Sequence, residues 1–342
     1  MKAFFNLILY KLVHSYVKIG LHLFYKKIEV SGLENIPKDK PILFVANHQN
    51  AMMDPILIAT HNTRVLYFLA RASAFKNKIA AKLLNAIHAM AIYRVRDGVN
   101  SKKLNIAVFE KCIDLLSNTE CILIFPEGSH SIKRQIRSLR SGFTTIAFNF
   151  LEQNTNKELY IIPIGLNFTD TISYAEKVHI IYGKPILASA YFNANNRRES
   201  IGNLIEKVSN SLKEITVHIA DTKEEKRIPK AAYLQPKITN KKLEQGFYDT
   251  SETIPKKRKK HTIFYYLLQL NSILPFVVWY FLKSKIKQKE FISTAKFSLG
   301  LTIFPLTYIL QTSLILYFFG MTISLIYLFF TIGLVYVTTK TN

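Results

Sequence analysis

Cysteine is scarce in this chain, because Cys112 and Cys121 are the two that occur among its 342 residues. They do not form a C-x-x-C pair, the spacing typical of thiolate metal sites and redox disulfides. Two isolated cysteines also cannot build the disulfide scaffold of a small secreted protein. We therefore expect two reduced, partly buried thiols that face the cytosol, and no metal site.

Acidic residues are also few, with 23 Asp and Glu against 46 Lys and Arg, so the formal net charge is +23. A disordered basic tail would lack aromatic residues, whereas this chain has 24 Phe and 18 Tyr, which excludes disorder as its main state. No basic element has the pattern of a nucleic-acid binder. A membrane suits the composition, because anionic headgroups attract Lys and Arg while the acyl region accepts apolar side chains. Membrane lipids are thus a predicted partner, and nucleic acid is not.

The region 297–339 lacks Asp, Glu, Lys, Arg and His altogether. As a helix it would be roughly 64 Å long, about twice the thickness of a ~30 Å hydrocarbon core. We expect two transmembrane helices, over 297–318 and 321–339, with the turn at Gly320. The alternative is a buried helical hairpin in the core of a soluble protein.

A second uncharged run, 262–282, precedes these spans and completes a predicted C-terminal membrane region, 261–342. Basic residues stand on both sides of the run, at 256–260 and 283–289. Because basic flanks favour the cytoplasmic face of a membrane, both ends of the run belong on that face. We interpret 262–282 as a re-entrant or in-plane segment, which makes the protein multi-pass with its main domain on the cytoplasmic face.

Residues 1–25 differ from a signal peptide, because basic residues interrupt the stretch that would have to be apolar. At 100° per residue, four basic or imidazole side chains lie within about 80° of one another on a helix whose other faces are largely apolar. These four are Lys11, His14, Lys18 and His22. The narrow stripe predicts an interfacial amphipathic helix, and the alternatives are a short span or a helix packed on the domain.

Residues 26–220 alternate short β-rich runs with segments long enough for helices. The predicted strands are 42–46, 65–69, 89–93, 121–125, 159–164 and 178–182, and the predicted helices include 76–88, 101–117 and 142–152. This alternation predicts an α/β domain with a mostly central β-sheet flanked by helices. Residues 221–260 are polar and rich in Lys and Glu, which predicts a linker to the membrane region.

A histidine and an aspartate follow the predicted strand 42–46, in the motif Asn47-His48-x(5)-Asp54-Pro55. A carboxylate that accepts a hydrogen bond from one ring N–H leaves the other ring nitrogen able to take a proton from an attacking hydroxyl. Such base assistance is typically worth about 10²–10⁴ in rate. Asp54 before Pro55 also fits a helix N-cap with proline at the first helical position.

A second motif, Phe-Pro-Glu-Gly-Ser-His over 125–130, follows the predicted strand 121–125. Several cations come next along the chain, among them Arg134, Arg137 and Arg140. A glycine-containing turn at a strand end with nearby cations predicts a phosphate-binding loop. The alternative is that these basic side chains form an ordinary solvated surface.

The ordered motifs resemble the four blocks of the glycerolipid acyltransferase family, which includes glycerol-3-phosphate and lysophosphatidic acid acyltransferases. The resemblance covers roughly residues 25–220 and includes a strand that ends at Arg94 and the later Ile-Pro-Ile-Gly at 162–165. It implies a membrane-bound O-acyltransferase of phospholipid biosynthesis. The donor would be acyl-CoA or acyl carrier protein, and the acceptor glycerol 3-phosphate or a lysophospholipid, 1-acylglycerol 3-phosphate. No cofactor is implied.

The resemblance also implies roles for particular residues. His48 would be the catalytic base, Asp54 its orienting acid and Arg94 a cation for the acceptor phosphate. Pro163 lies in the block that contributes to the acyl-donor region. The remaining substrate-binding candidates are Asn47, Glu127, Gly128, Ser129, His130, Arg134, Arg137 and Arg140.

Two features depart from the family pattern. The usual His-x(4)-Asp spacing is longer by one residue here, a form that resembles a branch of glycerol-3-phosphate and dihydroxyacetone-phosphate acyltransferases. In the third block, Ser129-His130 replace the common Thr-Arg, so that a phosphate-contacting arginine is missing. Arg134, Arg137 or Arg140 would have to replace it.

Two other functions remain open at this point. The first is an acyltransferase for an amino-acid-containing lysolipid, for which a phosphate-binding site is less necessary. The second is a basic membrane-binding protein without catalysis, which would need only the positive charge and the apolar segments. No Ser or Cys lies in a G-x-S-x-G-like setting, so direct transfer from the thioester to the acceptor is preferred to an acyl-enzyme.

Overall fold

A computed structural model describes residues 2–93, 100–219, 224–246 and 262–342. In these residues the strands form one sheet in the order β1-β7-β6-β2-β5-β3-β4, with the short β8 paired to β6. Neighbouring strands are parallel except where β6 meets β7 and β8. The strands are β1 Lys27–Ser31, β2 Ile42–Ala46, β3 Leu66–Arg71, β4 Ala89–Ile92, β5 Cys121–Ile124, β6 Tyr160–Phe168, β7 Lys177–Tyr182 and β8 Ile186–Leu187.

Helices cover both faces of this sheet and continue beyond it. The helices that accompany the sheet are α1 Lys2–Phe24, α2 Met53–Thr60, α3 Lys78–Ala86, α4 Ser101–Ser117, α5 Gly142–Gln153, α6 Arg197–Ile215 and α7 Pro236–Glu244. The C-terminal helices are α8 Ile263–Asn271, α9 Ile273–Lys283, α10 Ile292–Leu301 and α11 Ile303–Thr341.

The central strand β2 shows how the sheet separates two cores. Its five residues are all fully buried, and successive side chains point to opposite faces. Ile42, Phe44 and Ala46 pack with residues of α1, α2 and α3, whereas Leu43 and Val45 pack with α4, α5 and α6. The predicted α/β class with a central sheet flanked by helices is confirmed.

Two strands and one long helix were not among the predicted elements. β1 is an edge strand whose first and last residues are exposed, so it lacks the apolar run that identifies a buried strand. β8 has two residues, too few for any periodicity. The helix α6 buries only a narrow stripe, including Leu204, Val208 and Leu212, in an otherwise polar segment.

Pro163 lies in the middle of the buried strand β6, where a residue without an N–H group normally interrupts the pairing. The residues before it, 160–161, pair with β8, and the residues after it, 164–168, pair with β7. The proline therefore falls where β6 changes its neighbour, and its carbonyl oxygen still accepts a hydrogen bond of 2.8 Å from the Gly183 N–H.

Part of the predicted linker 221–260 is packed against the domain instead. Within 224–246, Ile228 and Tyr233 join Val217 and Ile219 in a third apolar cluster. This segment also contains α7, so the described part of the linker is a folded extension of the sheet domain. Polar composition did not reveal it because the apolar contacts come from few, widely spaced residues. Residues 247–261 lie outside the described residues.

The C-terminal helices contain one sharp bend and one reversal. α8 and α9 meet at an angle of 93°. In α11, Gly320, the predicted turn residue, has non-helical backbone angles of φ 82° and ψ 178°. The Tyr327 hydroxyl donates to Gln311 Oε1 at 2.8 Å, although sixteen residues would separate these side chains by about 24 Å along a straight helix. The chain therefore folds back at Gly320, and the two halves of α11 lie side by side.

Helix α1 presents three different faces. Leu21 and Phe24 are buried in the sheet domain, and α1 also contacts α10 and α11. Another face is apolar and exposed, and it consists of Ile8, Leu9, Leu12, Tyr16 and Ile19. The helix thus packs on the domain and still presents apolar surface outward. Its placement at a membrane interface remains a prediction.

Candidate active site

The two motifs meet at one edge of the sheet. β2, β5 and β6 are parallel neighbours, so their carboxyl ends lie together, as is usual for binding sites in α/β sheets. His48 follows β2, and the loop 125–130 follows β5. The amide N–H of Ser131 donates to the His48 carbonyl oxygen at 3.0 Å, which joins the two loops directly.

His48 and Asp54 form a hydrogen-bonded pair. The distance from His48 Nδ1 to Asp54 Oδ2 is 2.8 Å, and the carboxylate is fully buried whereas the His48 side chain is 14% exposed. The same oxygen also accepts the backbone N–H groups of Gln49 and Asn50, at 2.8 and 2.7 Å. A carboxylate oxygen held by backbone donors acts as an acceptor, so Nδ1 carries the ring proton. Nε2 then has the lone pair.

A tight turn brings the two residues together despite the additional residue between them. Ala51 has a positive φ of 37°, and the Met53 N–H donates to the Asn50 carbonyl oxygen at 2.8 Å. The helix α2 begins at Met53, so Asp54 is its second residue. The N-cap interpretation of Asp54 is therefore wrong, because its carboxylate binds N–H groups of the preceding loop rather than those of the first helical turn.

Aromatic rings fix the orientation of the His48 imidazole. Phe125 stacks on it with ring centroids 4.2 Å apart, and His130 lies edge-on at 5.5 Å. His130 in turn contacts the ring of Phe291 at 5.0 Å. Phe291 immediately precedes α10, so the C-terminal helical region reaches the site. The sequence does not indicate this residue, since no motif accompanies a single phenylalanine 161 positions beyond its partner.

Glu127 is a support of the loop rather than an exposed ligand. Its side chain is 3% exposed and forms an ion pair of 2.5 Å with Arg137. Burial raises the pKa of Glu127, and this shift is opposed by Arg137 and by hydrogen bonds that include one from the His48 backbone. Arg137 also donates to the Ser129 hydroxyl at 2.7 Å and to the Ser129 carbonyl. Glu127, Ser129 and Arg137 thus hold the third-block loop against the His48 loop.

The segment that contains both motifs matches a known protein family. The family model for acyltransferases matches residues 27–167, which contain both motifs. This segment is an acyltransferase domain. It resembles the glycerolipid acyltransferase family, as the motifs predict.

The relatives are distant and much longer than the matched segment. Glycerol-3-phosphate O-acyltransferase 1 of Saccharomyces cerevisiae is 24% identical over 119 residues, which make up 33% of this chain and 16% of the yeast protein. A 1-acyl-sn-glycerol-3-phosphate acyltransferase of Chlamydomonas reinhardtii is 30% identical over 124 residues, which make up 36% of this chain and 35% of the algal protein. The crystal structure of the 1-acyl-sn-glycerophosphate acyltransferase of Thermotoga maritima aligns at a TM-score of 0.43 and 20% identity, over 62% of this chain and 83% of that one.

Two predicted substrate-binding residues of the acyltransferase domain have other partners. The Asn47 side chain is buried and bonds both backbone groups of Leu166 on β6, at 2.8 and 3.1 Å. Arg134 is buried against the Tyr233 ring, 3.6 Å from its centroid, and lies 3.3 Å from Glu225. Burial lowers the pKa of Arg134. These two predictions are corrected, because Asn47 joins two strands and Arg134 anchors the folded extension.

Two other cations of the domain remain on the surface beside the loop. Arg140 is exposed, and its side chain lies next to Gly128, within 3.6 Å of where a Cβ would stand. Gly128 itself has a φ of 70°, which favours glycine over other residues. Lys133 is exposed, and its carbonyl oxygen accepts the side-chain N–H of Gln49 at 3.3 Å. Arg94, the predicted second-block cation, lies outside the described residues.

Asn50 is a further polar residue of the site that the motifs did not single out. Its side chain is fully buried next to the dyad. Neither its amide oxygen nor its nitrogen bonds to the residues that the structure describes. Buried amides usually have partners, so Asn50 is a candidate for contact with a substrate. In the sequence, the signal for Asn50 is its position within the motif loop after His48.

Proposed function

We propose that this chain transfers a fatty acyl group from a thioester to the hydroxyl of glycerol 3-phosphate or 1-acylglycerol 3-phosphate at a membrane. The single observation that carries the proposal is the His48–Asp54 pair at the sheet edge of an acyltransferase domain. The named relatives support the acceptor class, because they are glycerol-3-phosphate and 1-acylglycerol-3-phosphate acyltransferases. The chain spans about a sixth to a third of their length, so its own activity rests on this proposal.

The proposed chemistry begins at Nε2 of His48. This nitrogen removes the proton from the acceptor hydroxyl as the oxygen attacks the thioester carbonyl carbon. The thiolate leaves from the resulting tetrahedral intermediate and takes the proton from the imidazolium, which regenerates the base. Asp54 keeps the ring in the required tautomer and stabilises the imidazolium that forms. Phe125 restrains the ring plane, so the base is oriented before the substrate arrives.

Arg140 is the proposed cation for the acceptor phosphate among the described residues. It is exposed, it lies beside the loop glycine Gly128, and it belongs to the same sheet edge as His48. Arg137 is already engaged by Glu127 and Ser129. Lys133 and Arg94 are further candidates, and a guanidinium offers the better geometry for a phosphate.

The membrane location is proposed from the exposed apolar surface. α10 and α11 belong to a segment, 289–341, that is long and apolar enough to cross a bilayer, and α8 with α9 is a bent apolar pair. We propose that the halves of α11 cross the membrane as a hairpin, that 262–282 is re-entrant, and that α1 lies at the interface. The lysine-rich flanks then place the acyltransferase domain on the cytoplasmic face.

The test is an acyl-transfer assay with the purified chain in lipid nanodiscs. Acyl-CoA and acyl carrier protein are offered as donors to glycerol 3-phosphate, 1-acylglycerol 3-phosphate and an amino-acid lysolipid. We expect a phosphorylated acceptor to be acylated, and we expect His48→Ala and Asp54→Asn to lower the rate by about 10²–10⁴. Asp114→Asn, on the exposed face of α4, is the matched control and should retain the rate.

A second acceptor class is favoured by one observation. Ser129-His130 stand where the family commonly has Thr-Arg, and the structure engages Arg137 with Glu127. If only the amino-acid lysolipid is acylated, the proposed acceptor is wrong, whereas the proposed role of His48 as the base is retained. If no acceptor is used and His48→Ala retains the biological function of the folded chain, the protein is a membrane-binding protein without catalysis.

A further inference from the structure

A cavity of about 850 Å³ lies between α1 and the C-terminal helices. Most of its wall comes from residues beyond 167, the last residue of the segment that matches the acyltransferase family. Its volume is that of a site for a molecule of substantial size. The wall is largely apolar and aromatic, with Phe276, Trp279, Phe297, Leu301, Phe304 and Ile332 among its residues.

The charged side chains of the cavity wall have one sign. Lys283 and Lys296 line it, and none of the described residues that line it is acidic. Lys283 Nζ lies 5.0 Å from the ring centroid of Tyr280, and Lys296 Nζ lies 5.4 Å from that of Trp279. Lys296 also donates to the Ile172 carbonyl oxygen at 2.9 Å, which holds its ammonium group at the cavity wall.

The end of α9 has the composition of a bilayer interface. Trp and Tyr concentrate at the headgroup level of membranes, and Lys reaches from there into water. Trp279, Tyr280 and Lys283 follow one another within one turn and a half at this end. The basic part of the cavity is therefore at headgroup depth if these helices lie in a bilayer. Exposed apolar side chains of α11, Ile309 and Ile332, line another part of the cavity.

We propose that this cavity binds one acyl chain of a phosphate-bearing membrane lipid, whose phosphate contacts Lys283 and Lys296. The apolar wall accepts the chain, and the two ammonium groups complement the anion. A free phosphate would leave most of the apolar wall unfilled, and a neutral lipid would bring no negative charge to the two lysines. The site is distinct from the dyad, although α10 connects them, since Phe297 and Leu301 line the cavity and the preceding Phe291 contacts His130.

The test uses a lysophosphatidate with a photoreactive diazirine in its acyl chain, incorporated into nanodiscs that contain the full chain. After illumination, mass spectrometry locates the labelled peptides. We expect the label on α9, α10 and α11, at residues of the cavity wall. Labelling requires no turnover, so the His48→Ala variant should be labelled to the same extent as the parent chain. The result is therefore independent of the proposed acyl transfer.

A matched pair of glycine variants tests the place of binding. Gly300 lines the cavity, and a Cβ on it would meet nothing within 4 Å, so Gly300→Leu should fill the cavity and reduce the label several-fold. Gly333 on α11 is equally unobstructed and does not line the cavity, so Gly333→Leu should leave the label unchanged. Labelling of the cavity wall that Gly300→Leu does not reduce would overturn the site.

The headgroup contact is tested with charge. Lys283→Gln should reduce labelling by lysophosphatidate several-fold, whereas Lys285→Gln, two residues on and not in the wall, should not. A monoacylglycerol carrying the same diazirine should label the parent chain weakly. Equal labelling by the neutral and the anionic probe, with no effect of Lys283→Gln, would overturn the proposed phosphate contact.

Discussion

The acyltransferase domain and the C-terminal helices place apolar and polar side chains in opposite ways. In the domain, whole strands such as β2 are apolar and fully buried. In α11, Tyr317 is 83% exposed and Phe318 70% exposed, while Thr331 and Thr338 are fully buried. The buried hydroxyls bond to carbonyl oxygens, as Thr338 does with Phe264 on α8. This pattern fits a domain surrounded by water and, as proposed above, C-terminal helices surrounded by an apolar medium.

Removing one large ring from each region should give the largest difference between them. Phe148 is fully buried in the core between the sheet and α5, so Phe148→Ala should lower the free energy of unfolding by about 3–5 kcal/mol. Phe329 on α11 is 71% exposed, and Phe329→Ala should change it by less than about 1 kcal/mol. Circular dichroism of both variants in detergent would measure this. Similar losses of stability in the two variants would contradict the opposite placement of apolar side chains in the two regions.

A charge introduced at an exposed apolar position should have a large effect on the C-terminal helices and a small effect on the acyltransferase domain. Phe329→Lys places a lysine near the middle of the second half of α11, where it should disfavour insertion by about 3 kcal/mol. Leu104 on α4 is also exposed, but Leu104→Lys should change stability by less than about 0.5 kcal/mol. The membrane fraction of each variant after expression would report the difference. Full insertion of Phe329→Lys would argue against a bilayer around this helix.

Within the domain, Arg137 and Arg140 follow the loop 125–130, and replacing each should distinguish a residue that supports this loop from one that binds the acceptor. Arg137→Met leaves the buried Glu127 carboxylate unpaired and should cost about 2 kcal/mol of stability. Because burial already raises the pKa of Glu127, the loss should grow as the pH rises from 5 to 8, when the unpaired group must ionise. Urea denaturation at several pH values would measure it. A loss that does not change with pH would exclude this cause.

Arg140 provides the control for that experiment. Arg140→Met should leave the free energy of unfolding unchanged within about 0.5 kcal/mol, because the side chain is exposed. It should instead raise the KM for a phosphorylated acceptor with less effect on kcat. Loss of stability together with an unchanged KM would remove Arg140 from the proposed phosphate site.

The contact between α1 and the domain should show the smallest effect, as a dependence on pH. Burial lowers the pKa of His61 on α2 to about 4, with contributions from His22, Lys18 and His14 of α1. The unfolded chain binds a proton near pH 6.5 and the folded chain only near pH 4, so stability should fall as the pH decreases across that window. Since His61 is partly exposed, we expect a loss of about 1–2 kcal/mol. His61→Gln should remove most of this dependence in thermal unfolding.

The parts of the molecule that local pattern determines were predicted well. The strand before His48 was predicted with its observed bounds, because an apolar run with polar ends is a local signal. Both motifs were predicted at strand ends, and the structure joins them because the parallel strands β2 and β5 end at one edge. The environment of Arg134 did not follow, because Tyr233 and Glu225 lie about ninety residues further along and no local pattern encodes that contact. Phe291 at the site has the same explanation.

Lys340 joins the last helix of the chain to the first. Its ammonium group donates to the carbonyl oxygens of His22, Tyr25 and Lys26, at 3.1, 3.2 and 3.0 Å. The His22 carbonyl belongs to the last turn of α1, where carbonyls lack a helical N–H partner, and the other two follow the helix directly. Since 318 positions separate His22 from Lys340, the ribosome makes α1 long before the residue that caps it. The contact that completes the end of α1 therefore forms only after 318 further positions have been synthesised.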